Sequence, residues 1–200
     1  MALADGGTGA SLADPDADSI MFWDDSASTV DWLTLAAGLG FSGTTLTHTG
    51  VIGVGAALKL DEFTTSSTSY TDITGLSVAY TPKSASSTIY VLGVVNGSIT
   101  SSGNLFNIKA LRDSTDLQVG ASAGSRIRSN AVIAGDVISS GIKTAFIFAT
   151  DAPGDTSSHT YKLQGQSSNS TAAYVNRSTS DTDTALFSRS VSGIIVLEVV

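Results

Sequence analysis

Residues 120–124 read GASAG, a literal match to the G-x-S-x-G nucleophile elbow, and Asp151, Asp155 and His159 follow in the α/β-hydrolase order. That chemistry needs Ser122 on a sharp strand-to-helix turn, a histidine in reach of its hydroxyl, and backbone N–H groups for the oxyanion. Leu117–Val119 could supply the strand, but Ser125–Asn130 (SRIRSN) is a poor helix former and no strand–helix alternation surrounds it. In a chain so rich in Ser, Gly and Ala the motif arises by chance, so a loop between strands is expected and no catalytic residue is assigned. Asp14, Asp16 and Asp18, with Asp25 at the twelfth place, imitate the ligand spacing of a calcium loop. Ser19 stands where such a loop wants glycine, so the expectation is a turn set by Pro15 with solvated or capping carboxylates and no metal.

Other chemistry is excluded by composition. The chain has no Cys and two His, which removes thiolate catalysis and a multi-histidine metal centre. Gly53-Val-Gly55 lacks the third glycine of a dinucleotide fingerprint and no P-loop occurs, so no cofactor is expected. A net charge of −8 argues against nucleic acid as partner, because phosphate binding needs clustered Lys and Arg. No apolar run is long enough for a membrane-spanning helix, and MALADGGTGA has neither the basic nor the apolar region of a secretory signal. Asn96, Asn169 and Asn176 head matches to the glycosylation pattern and read as polar loops. Arg126, Arg128, Tyr161, Tyr174 and Arg177, with Arg112, are the candidate ligand surface, since Arg planes and Tyr faces suit sugars and carboxylates. Trp23 and Trp32 are expected to pack a small hairpin.

The elements that would position these groups are strands. Ser and Thr supply 55 of 200 residues and charged residues only 14%, a composition of strands and turns rather than helices. Charge is uneven: residues 1–50 carry seven Asp and no Lys or Arg, whereas residues 51–200 carry eleven acids against ten bases. The boundary is read near Lys59–Phe63, giving an arm of residues 1–60 and a body of residues 61–200. In the arm, Ser19–Asp24 and Val30–Leu35 form a hairpin, followed by glycine-broken β pieces too short to bury a core. The body carries strands at Gly75–Thr81, Ser87–Asn96, Asn104–Arg112, Leu117–Ala121 and Ala131–Ile138. Further strands are Ile142–Thr150, His159–Gln166, Ala172–Asn176, Thr184–Ser188 and Gly193–Val200, the turn spacing of an antiparallel sandwich. In TYKLQGQ, Tyr161 and Leu163 face one way and Lys162 and Gln164 the other. IYVLGVV and AFIFAT are apolar on both faces and are expected to be covered on both.

The arm, with GGTGAS, ADPDAD, FWDDSAS, WLTL and GLGFSGTTL in succession, resembles a segment of tailed-bacteriophage fibre proteins. From Thr64 the chain is similar to the C-terminal domains that end such fibres, in its TTSSTSYTDITGLSVAYTPKSASSTIYVL stretch, AGSR turn, SSHTYKLQGQSS, AYVNRS and final LEV strand. The resemblance implies an all-β virion protein: a homotrimer with a short intertwined N-terminal stem and a jelly-roll-like sandwich head. It implies attachment through residues 1–60 to other virion proteins, of the tail or the major capsid shell, and a head that binds host-surface glycan. Such fibres carry many stem segments and this chain carries one, which also fits a head fibre or a capsid decoration protein. The third expectation is a tailspike-like polysaccharide hydrolase, which would need a carboxylate pair at a cleft, and no Asp pair is singled out.

Overall fold

The computed structural model describes residues 19–33, 39–42 and 45–200, and every regular element among them is a strand. The chain divides into two compact units, residues 1–50 and 51–200. The first contains two antiparallel hairpins, β1 (Met21–Asp24) with β2 (Thr29–Trp32) and β3 (Leu39–Ser42) with β4 (Thr45–His48). Asp24 closes the first turn: its carboxylate accepts from the N–H groups of Ser26 and Ala27 and from the Ser26 hydroxyl, the local bonding that makes Asp a turn residue. Trp23 lies opposite Val30 and remains 56% exposed, and Trp32 lies opposite Met21, so the indoles do not make a core. GGTGAS and Asp14, Asp16 and Asp18 lie outside the described residues.

The second unit is two antiparallel sheets enclosing one core. In the first sheet β12 (Lys143–Asp151) lines one edge of β8 (Thr88–Ile99). The other edge is shared end to end by β15 (Ser192–Val199) and β14 (Ala173–Val175). Beyond them lie β5 (Val51–Lys59), on β15, and β6 (Phe63–Thr65), on β14. In the second sheet β9 (Leu105–Arg112) holds β10 (Thr115–Asp116) and β11 (Ala131–Ala134) on one edge and β13 (His159–Ser167) on the other. There β7 (Thr71–Tyr80) completes the sheet on β13. Period-two alternation sends Ile89 and Val91 of β8, Ile194 and Val196 of β15, Ile108 of β9 and Leu163 of β13 into the same core. Gly165 admits the Phe106 ring, since a Cβ there would sit 2.5 Å from it.

Among the buried polar groups, two join elements far apart in the chain. Glu198, on the inward side of β15, is fully buried. Its carboxylate accepts from Tyr80 Oη (2.7 Å), Ser87 Oγ (2.7 Å) and the N–H groups of Lys83 (2.7 Å) and Ser84 (3.1 Å). Those donors outweigh desolvation and hold its pKa below the ordinary Glu value, while burial and the carboxylate push Tyr80 up to about 12. Asn176 adopts φ 64° at the end of β14, and its side chain donates to the carbonyls of Lys59 and Asp61 and accepts from Ser192 Oγ. It therefore ties β14 to β5 and β15.

Several boundaries differ from the sequence reading. The body begins at Val51, not near Lys59–Phe63, because VIGVGAALK pairs along the last strand rather than belonging to the arm. Leu117–Ala121 and Thr184–Ser188 are not strands; the first is mostly loop after the two-residue β10, and the second turns on a Phe187 N–H to Thr184 carbonyl bond. Asn96 is not a loop residue either, since it lies within β8, and Asn176, just past the end of β14, is buried. The TYKLQGQ alternation holds, with Tyr161 and Leu163 fully buried. IYVLGVV and AFIFAT are covered on their inner face only.

Candidate functional site

The structure distributes the sequence-selected residues over three separate networks. Tyr161 is fully buried and faces the core, so it presents no ligand surface. Its hydroxyl donates to Asp151 Oδ2 (2.9 Å), which Arg112 Nη1 also reaches at 2.8 Å, and burial raises the phenol far above its usual range. Arg177 stacks on Tyr174, with its guanidinium carbon 4.2 Å from the ring centre. It also pairs with Glu62 and Asp181, which Arg189 pairs with in turn. That four-charge cluster ties the segment after β14 to the β5–β6 connection, which is structural work. Arg128 Nε donates to the Gly120 carbonyl, and its own carbonyl accepts from Tyr70 Oη (2.6 Å). Burial and the Asp116 charge push Tyr70 to about 12, so it stays a donor. Arg126 is exposed in the same loop.

The hydrolase-like residues are not assembled. Ser122 sits exposed in the 117–130 loop with no helix after it. His159 has both ring nitrogens on carboxylates, Nδ1 2.8 Å from Asp113 and Nε2 3.1 Å from Asp155. The Asp113 bond is the largest of the effects that raise its pKa above 6.5. Among the described residues no group of three or more His, Asp or Glu is arranged to hold a metal.

Two surface features were not selected from the sequence. The first is an open groove of about 490 Å³ where the loop after β9 meets the end of β12. Thr88, Thr115 and Thr150 offer hydroxyls there, Gln118 an amide, and Asp116 and Asp151 carboxylates. Gln118, at φ 48°, clasps Thr150 by accepting its N–H (3.0 Å) and donating to its hydroxyl (2.5 Å). Such a lining suits a neutral, polyhydroxylated ligand. TDLQ and TDA carry no distinctive spacing, and the left-handed Gln118 has no sequence signal, so the groove was not legible.

The second feature is the outer face of the first sheet. Register aligns Leu58, Gly193, Val94 and Phe146 in one row across β5, β15, β8 and β12. The next rows are Ala56, Ile195, Leu92 and Phe148, then Val54, Leu197, Tyr90 and Thr150. None of the twelve is Asp, Glu, Lys, Arg or His.

No family model matches the chain, and no curated protein matches it.

Proposed function

We propose that this chain is a structural protein of a tailed-bacteriophage virion. In this reading it is a short homotrimeric fibre whose N-terminal segment docks on the particle and whose jelly-roll-like head meets the host surface. The observation that carries the reading is the asymmetry between the two units. The body owns a continuous core, whereas the arm presents strands of four residues with Ile20, Met21, Phe22, Trp23, Leu39 and Leu46 exposed. Isolated two-stranded hairpins are marginal in water, so these need partner chains or a socket. An anchor completed by its partners and a self-sufficient head is the organisation of a short fibre. The polar groove supports a glycan-binding head that acts by avidity, with three weak sites on one trimer multiplied over the particle.

The test is antibody labelling of purified phage particles, paired with competition for adsorption by the full-length chain. We expect label at the tail and reduced adsorption. Label over the shell without competition would move the protein to capsid decoration, and unlabelled particles would refute a virion role. Release of reducing ends from host polysaccharide by the chain would instead assign a hydrolase.

A further inference from the structure

We infer that the outer face of the β5–β15–β8–β12 sheet is a contact surface between copies of this chain, centred on Phe146 and Phe148. It rests on the trimeric reading for copy number and on the sheet itself for the rest. Phe146 is 73% exposed and Phe148 61%, on a strand whose other face is buried, and Leu58 is 72% exposed on a strand whose other face is half-buried. No loop or strand of residues 51–200 covers them. Four strands about 4.8 Å apart and three rows about 6.8 Å apart span about 400 Å². That is the size of the largest apolar patch on an ordinary monomer, often a functional contact, and about half of the ~800 Å² that each partner buries in a standard interface.

The anatomy of the face fits such a contact. One end closes with a polar rim, where Thr144 Oγ1 donates to Asn96 Oδ1 and Asn96 donates to the Val191 carbonyl. The other end closes with Thr88 and Thr150, beside the groove. An apolar centre between polar ends is the layout of a specific interface, not of a site awaiting a charged ligand.

Two observations point to this chain itself as the occupant. Residues 51–200 carry eleven acids and ten bases, so copies of the body meet with little repulsion, and a face without charges has its complement in another such face. In addition, β12 pairs only with β8 among the described residues, and Gln118 blunts its outer edge only at Thr150. An unpaired apolar edge invites non-specific pairing unless a subunit covers it, and a closed oligomer supplies that cover.

The experiment is the solution mass of the full chain as wild type and as two double variants, Phe146→Lys with Phe148→Lys and Leu58→Lys with Ile195→Lys. Thermal melts verify that each variant folds. We expect an oligomeric wild type and variants whose mass falls toward 20.3 kDa at the same concentration, because the charged side chains would be buried at the contact. Unchanged mass in folded variants overturns the inference and leaves the trimer intact. A monomeric wild type overturns both. Carbene footprinting of the wild type gives an answer that does not depend on variant folding: protection of Phe146 and Phe148 is expected, and full labelling of both in the oligomer contradicts the assignment.

Discussion

At the scale of residues, the most consequential side chain is one that the sequence presents as a lone acid in an apolar strand. Glu198 interrupts IIVLEVV, and its inward position follows from alternation with Ile194 and Val196. What alternation does not reveal is that Tyr80, Ser87 and the 83–84 backbone converge on it from 111 to 118 residues away. We expect Glu198→Gln to cost about 2–3 kcal/mol at pH 7, because a neutral amide leaves part of this donor set without an acceptor. Its folded pKa lies below the ordinary Glu value, so the carboxylate's contribution is complete above pH 4.5 and disappears as pH falls through the folded value. Denaturant melts of wild type and variant should therefore converge on acidification, and a gap that persists or widens would place the effect elsewhere. Tyr161 illustrates the opposite error of legibility. Alternation placed its ring inside, and that position is incompatible with the ligand role its residue type suggested. Arg177 and Tyr174 do meet, but as a stack held by Asp181 four residues on and by Glu62 115 residues away, the second a contact that leaves no local trace.

At the scale of elements, the strands with clean alternation or long apolar runs were legible: β1, β2, β8, β9, β12, β13 and β15 all fall where the pattern places them. The misread β5 has a physical cause. The β5 sequence, VIGVGAALK, was read as glycine-broken arm because Gly53 and Gly55 weaken strand propensity. In the fold those glycines make room: a Cβ at Gly55 would press on Val78 at 2.8 Å, and Gly53 lies under the Tyr80 hydroxyl. Glycine here marks close approach between sheets, which only the tertiary structure discloses. The consequence is testable by truncation. Residues 51–200 should melt cooperatively, whereas residues 61–200 lose β5, strip one edge of β15 and remove the Lys59 carbonyl that Asn176 grips. Melting of 61–200 at the temperature of 51–200 would show that β5 is dispensable to the body.

At the scale of the whole molecule, the double-sided apolarity of IYVLGVV and AFIFAT suggested cover on both faces, and the structure provides it on the inner face only. The arm adds the same demand, with short hairpins whose apolar side chains stay exposed. In the proposed fibre, near-neutral charge in the body and concentrated Asp in the arm would divide the roles, the body meeting its copies and the arm meeting a polar or basic socket. Association is thus the property on which every functional statement above depends. Light scattering of the full-length chain across a micromolar concentration series tests it directly. The account predicts a stable species of three times 20.3 kDa, and a mass of 20.3 kDa throughout the series would contradict it.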